Sequence, residues 1–311
     1  MRKIVRQLKD FLKEDFNLPV YGLTMLFLAI TLFLNYAYDG VDKFVYLQQD
    51  GLGKLLRWCA FMGVPYFIVI GLQAIFQQPM PGLKKPGFWL MAVAGLLMIC
   101  VTAWFPWHKT IARELFPREL LKWGILVLWN LKRFAFMLLP MLIYWLLVDR
   151  KENKFYGLFT KPKDLGPYFL MLGIMLVPIL LASRTESFLE AYPQYYAGPA
   201  EAKVGVSPWL TGAAFEFVYG ADFALVELAF RGFLVIGIAR WIGPRAVLPM
   251  AAAYCFLHFG KPAGEAVSSF FGGYLLGLIA YYSRSIWGGI VVHMGVAWMM
   301  ETAAYLQRTV F

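Results

Sequence analysis

Glu227 and Arg231 stand four residues apart inside ADFALVELAFRGFLVIGIARW, a stretch that is otherwise almost wholly apolar. Residues i and i+4 share a helix face, so the carboxylate and the guanidinium can meet there. Two of the three histidines lie in apolar runs further on, His258 in AYCFLHFGK and His293 in IWGGIVVHMGVAW. One carboxylate and two imidazoles on neighbouring helices could bind a divalent metal or position a water for attack. Three more carboxylates lie close in sequence. Glu216 precedes Glu227 by eleven residues, Asp222 precedes Val226 by four, and Glu301 follows His293 by eight. Each spacing places the carboxylate on the corresponding helix face, provided that the helix is unbroken; Gly220 leaves that continuity open for Glu216.

Most of these residues also have a plainer reading. Glu227 and Arg231 read equally as a buried ion pair that ties one helix to its neighbours. A histidine inside a span is commonly a hydrogen-bonded packing residue. Asp222, just after Gly220, reads as a helix N-cap. Glu301 reads as a charge at the end of a span, Lys261 and Glu265 as loop charges, and His108, in FPWHKT, as an interfacial loop residue. Ionisable groups inside a membrane are costly and therefore mark function by default. The HExxH signature of helical zinc proteases is absent from the chain.

The elements that carry these groups are apolar. Hydrophobic residues make up 60% of the 311 and charged residues only 15%, with a mean hydropathy of +0.60. Soluble domains carry about 25% charge, so the chain belongs to the membrane class. The net charge of +10 sits at the ends of apolar runs, which points to anionic lipid headgroups and away from nucleic acid. Cys59, Cys100 and Cys255 fall inside apolar stretches without CxxC spacing and read as small buried side chains.

A span needs about 20 mostly apolar residues. Candidates run from Leu18 to Tyr38, Leu55 to Phe76, Phe88 to Phe105, within Gly124 to Val148, Pro167 to Ser183, Trp209 to Trp241, Ala246 to Phe259, Ala266 to Tyr282 and Ile286 to Leu306. Lys132 and Arg133 interrupt the fourth and read as the end of an interfacial helix. The expectation is all-α, a polytopic integral membrane helical bundle of eight or nine transmembrane helices. Residues 1–17 form an amphipathic helix suited to a membrane surface, retained rather than cleaved, and its Lys and Arg place the N-terminus in the cytoplasm. Residues 18–206 hold about five helices, and 207–306 hold the charged constellation. GGYLLG, from Gly272 to Gly277, suits close helix approach.

The order ELAFRGFL, then YCFLHFG, then FFGGYLLGLIAYYSRSIWGGIVVHMGVAW resembles the CAAX protease and bacteriocin-processing (CPBP, or Abi) family of intramembrane endopeptidases. That family carries Glu-Glu-x-x-x-Arg on one helix and Phe-x-x-x-His on the next. His-x-x-x-Asn closes the core after a Gly-rich helix and a short Ser-Ile-Trp turn. The resemblance covers Ser207 to Met300. Glu227 matches the second Glu of the first motif and Arg231 its Arg. His258 matches the second-motif His, with Tyr254 in place of Phe, and His293 the third-motif His. Val226 stands where the first Glu, implied to activate the attacking water, would be. Ala297 stands where the Asn, a stabiliser of the oxyanion, would be.

The resemblance implies an endopeptidase that cuts a membrane-associated protein or peptide with water activated by Glu227. Arg231 orients Glu227; Asp222 and Glu301 are secondary candidates for the missing groups. His258, His293 and Glu227 are the tentative ligands of a divalent metal such as zinc. The expected partners are membrane lipids and the substrate, in the cytoplasmic membrane of a prokaryote. The other reading is a catalytically inactive CPBP-like protein with a binding or immunity role, which Val226 and Ala297 suggest. A transporter ranks last, since the chain shows no repeated halves.

Overall fold

A computed structural model describes residues 2–48, 51–151, 154–162 and 164–309. Met1, the first residue of the expected interfacial helix, lies outside them. All regular structure among the described residues is helical. The α-helices are α1 (Arg2–Asp15), α2 (Leu18–Tyr38), α3 (Leu52–Phe76), α4 (Pro86–Trp104), α5 (His108–Leu115), α6 (Leu121–Arg133), α7 (Leu139–Tyr144), α8 (Gly166–Ala182), α9 (Glu186–Ala191), α10 (Pro199–Lys203), α11 (Pro208–Glu227), α12 (Ala239–Ile242), α13 (Val247–Phe256), α14 (Ala263–Ser283) and α15 (Trp287–Thr309). Wide-turn π segments join some of them, the longest being Leu228–Gly237.

Among the described residues, six helical stretches are long and apolar enough to cross a membrane: Leu18–Tyr38, Leu52–Phe76, Pro86–Trp104, Arg118–Asp149, Ala263–Ser283 and Trp287–Thr309. α8 is a shorter apolar helix. The chain is therefore a polytopic, all-α integral membrane protein. Local chemistry sets the ends of α2: the Asn17 side chain accepts the Val20 N–H, and Pro19 lies in the first turn. Asp39 closes the helix in the left-handed region, φ 54°.

The chain divides into two compact units, each drawn from three segments. The first comprises Met1–Trp104, Met141–Pro162 and Leu228–Gly288. Its centre is α13, every residue of which is buried, as suits a helix that is apolar all round. α14 comes close to it through Gly273 and Gly277. A Cβ on Gly277 would lie 2.6 Å from Met250 Cε, whereas Gly272 faces open space. The polar loop after α7 turns back into this unit. Tyr156 donates to Asp149 (2.8 Å), and Arg240 pairs with the same carboxylate (2.7 Å). That network holds Phe155 and Tyr156 buried at positive φ, where Gly157 follows with φ 87°.

α1 buries part of its apolar stripe inside the first unit, while Leu12 stays exposed. Ile4 and Phe11 are buried, and the Phe11 ring meets Tyr274 of α14 edge-on at 5.7 Å, while Arg6, Lys9 and Lys13 stay exposed. The helix ends on buried Asp15, which accepts from Tyr21 (2.6 Å); Tyr274 in turn donates to Tyr21 (2.8 Å). Burial pushes the Asp15 carboxyl up from 3.8 to about 6, against the pull of the Tyr21 hydrogen bond and of Arg245. The docked helix thus holds the proton more tightly than an undocked one. Docking should lose stability as the pH rises through the window from about 4 to about 6. Hydrogen exchange of α1 is expected to be faster at pH 7.5 than at pH 5 after correction for intrinsic rates, and Asp15→Asn should remove the difference. Equal protection in the wild type at both pH values would refute the account.

The second unit comprises Phe105–Pro140, Lys163–Glu227 and Gly289–Phe311. α11 runs through it without a break at Gly220, because that glycine receives the Trp298 indole: a Cβ there would lie 2.5 Å from the ring. The Lys132–Arg133 interruption is also resolved differently from the expectation of an interfacial boundary. The Arg133 guanidinium pairs with Asp222, which is 1% exposed, and the Lys132 ammonium lies 3.5 Å over the Trp129 ring and donates to the Phe105 carbonyl. Satisfied this way, both cations fit within a helical stretch that continues to Asp149.

Candidate active site

α11 and α15 pack antiparallel in the second unit. Trp298 donates from Nε1 to the Glu216 carbonyl at 3.1 Å and fills the gap over Gly220. Two turns along α11 from Gly220, Glu227 meets His293, with Oε1 and Nδ1 3.0 Å apart. In a bond between an ionised carboxylate and Nδ1, the ring nitrogen is the donor. Glu227 is wholly buried; the His293 side chain keeps 15% of its surface.

Two further residues shape this pair. Phe223, one turn before Glu227, lays its ring 4.4 Å from the imidazole. Gly289, one turn before His293, lies under the other carboxylate oxygen: a Cβ there would be 2.1 Å from Glu227 Oε2. The four side-chain positions form two i, i+4 couples facing each other. Sequence reasoning missed Phe223 and Gly289. The signal was their helical spacing from the two charged groups, and it is a weak one without knowledge that α11 faces α15.

The first unit holds a second cluster. Arg231, 1% exposed, lies in the π segment with its guanidinium 4.2 Å over the Tyr254 ring. His258 Nδ1 hydrogen-bonds to the Tyr254 carbonyl at 2.9 Å, and the two rings are 4.6 Å apart. Because a carbonyl only accepts, His258 too carries its hydrogen on Nδ1. Gly273 makes room for this stack, since a Cβ there would lie 2.9 Å from the Tyr254 ring. Tyr254 thus supplies a ring to the cation and a carbonyl to the imidazole.

Residues 210–299 match the family of type II CAAX prenyl endopeptidases described as Rce1-like. Glu227, Arg231, His258 and His293 all lie within this Rce1-like segment, as do Phe223, Tyr254 and Gly289. No curated protein and no solved structure matches the chain. The similarity agrees with the resemblance to CPBP proteases drawn from the motif order.

Other candidates within or beside the Rce1-like segment are engaged elsewhere. Asp222 is not a helix cap: it sits inside α11 and answers Arg133. Glu301 lies beyond the matched residues, and both its oxygens accept the Gln194 N–H, at 3.0 and 2.9 Å. It thereby ties the loop before α10 to α15. His108 opens α5 with Nδ1 3.1 Å from the Phe105 carbonyl and its ring against Trp129. Burial, with the Lys132 cation close by, lowers its pKa to about 4, which keeps it neutral. Val226 and Ala297 are buried at 6% and 5% exposure and add no polar group.

Glu227 and His293 offer two donors to a metal. Among the described residues no group of three or more His, Cys, Asp and Glu side chains is placed to hold one.

Proposed function

We propose that this protein is an intramembrane endopeptidase that hydrolyses a peptide bond in a membrane-associated protein or peptide. The observation that carries the reading is the buried Glu227–His293 pair inside a segment similar to a protease family. A carboxylate and an imidazole in hydrogen-bond contact form the acid–base couple that peptide hydrolysis needs. The pair takes a proton from water as the oxygen attacks the carbonyl carbon, and later returns it to the leaving amine. His258, with its hydrogen directed to the Tyr254 carbonyl, serves as the second imidazole, and Arg231 as the charge that steadies the carboxylate chemistry. With Val and Ala at positions 226 and 297, this reading assigns the proton transfer to Glu227 and the histidines.

The matched description supports a choice of substrates to test. Prenylated C-terminal peptides are the first to be tried, beside unmodified membrane peptides. The test compares peptide termini in membranes of cells lacking the protein, cells restored with wild type, and cells restored with Glu227→Gln, at matched protein levels. New termini should appear with the wild type and fall by about 10²–10⁴-fold in the variant. Equal cleavage by the variant would overturn the reading. In the same assay with purified protein, chelation of divalent ions tests whether zinc or a similar metal assists; a loss restored by metal would add that role to His258, His293 and Glu227.

A further inference from the structure

α2 is largely apolar, yet near its end it buries a carboxamide, Asn35. A polar side chain in an apolar span works through the hydrogen bonds it makes to other segments. Asn35 makes them in two directions. Its Oδ1 accepts the Val41 N–H at 2.8 Å, which fixes the turn that ends α2. Its Nδ2 donates to the Phe259 carbonyl at 2.9 Å, 224 residues further along the chain. That carbonyl directly follows His258. α13 ends at Phe256, so His258 lies in a turn and not in a helix. A helix places its side chains through its own hydrogen-bond ladder, whereas a turn needs anchors from elsewhere to hold a group to a fraction of an ångström. Two more anchors reach the same turn. The Tyr36 hydroxyl donates to the Lys261 carbonyl at 2.7 Å, and Tyr46 covers Gly260, where a Cβ would lie 3.0 Å from Cε2 of the ring. The Phe259 ring stacks on Phe256 at 4.3 Å, so its side chain and its carbonyl are held separately. All of these residues belong to the first unit.

We propose that Asn35 is a positioning residue for peptide hydrolysis: its carboxamide clamps the turn that carries His258 to the end of α2, with Tyr36 as a second hold. The proposal rests on the endopeptidase reading, in which His258 belongs to the site. Asn35 touches no reacting atom and acts through His258. It lies outside residues 210–299, so it gives a helix beyond the Rce1-like segment a part in the site. A carboxamide suits the task because one short side chain carries both a donor and an acceptor. Leucine, of similar size, offers neither, and an ionised aspartate offers only acceptors to a carbonyl that needs a donor.

The experiment uses full-length protein in nanodiscs and takes two readings on Asn35→Leu. The first is cleavage of a peptide that the wild type cuts. Displacing the turn should lower kcat by about 10–10²-fold while KM changes by less than about threefold. The second is amide hydrogen exchange, which needs no activity. Exchange at Phe259 to Lys261 should rise by about tenfold or more, with α4 and the middle of α14 unchanged. A general loss of structure would raise exchange in all of these segments, and that result would overturn the proposal. If gel filtration shows that Asn35→Leu is not folded, Tyr36→Phe carries both readings, with an expected fall in kcat of about three- to tenfold. A folded Asn35→Leu that keeps the wild-type kcat would overturn the proposal and leave the endopeptidase reading standing. Unchanged exchange at the His258 turn would overturn it as well. A folded wild type that cleaves nothing, beside a variant whose turn exchanges faster, would remove the endopeptidase reading, and with it the positioning role, and leave only a structural clamp.

Discussion

Methionine in place of Arg133 is expected to destabilise the protein by about 3–5 kcal/mol, among the largest effects of any single change away from the acid–base pair. Asp222 is 1% exposed in the middle of α11, and the Arg133 guanidinium is its charge partner. Removing the guanidinium leaves a carboxylate without compensation, which costs more than the pair contributes, because desolvation of the acid is no longer offset. The second replacement should therefore help rather than harm. Arg133→Met with Asp222→Leu is expected to recover most of the loss, since apolar side chains of similar volume replace buried ion pairs with little penalty. A double-mutant cycle on the unfolding of purified protein measures the coupling. If Arg133→Met lies within about 1 kcal/mol of the wild type, Asp222 is compensated by something other than this pair.

Alanine at Gly289 is expected to lower cleavage by about 10²-fold while leaving the helix at least as stable as before. Alanine favours an α-helix over glycine by about 1 kcal/mol, so a purely local account predicts a gain. The site predicts the opposite for activity. The new Cβ would lie 2.1 Å from Glu227 Oε2, and this distance must open by movement of the carboxylate or of α15. Either movement disturbs the 3.0 Å contact with His293. Glu227→Asp in the Gly289→Ala background shortens the side chain by one methylene and is expected to restore part of the lost rate. Gly272→Ala, facing open space on α14, serves as the neutral comparison. Full activity in Gly289→Ala would mean that the carboxylate tolerates displacement.

The relation between sequence and structure differs by the range of the interaction. The apolar run from Leu18 to Tyr38 becomes a helix with those same ends, because length, hydropathy and the Asn17 cap are local properties. The helix that carries Arg231 shows where local arithmetic stops: wide π turns run from Leu228 to Gly237, and nothing in the local sequence announces them. Glycine likewise has two local meanings that only packing separates. Gly220 reads as a break and proves to be a seat for Trp298, while Gly272 and Gly273 are adjacent and only the second has a neighbour within contact.

By itself the sequence determined an all-α membrane protein, most of its spans, and a C-terminal third that concentrates glutamate, arginine and histidine. Those conclusions need only summed hydropathy along each segment and the high cost of charge in lipid. Tertiary structure alone decided the partners: Glu227 with His293, 66 residues away, Asp222 with Arg133, Glu301 with the Gln194 backbone, and Arg231 with Tyr254. A buried charge requires a partner, but any polar group brought near by packing can satisfy it, so the choice is made by which helices face each other and not by spacing along the chain.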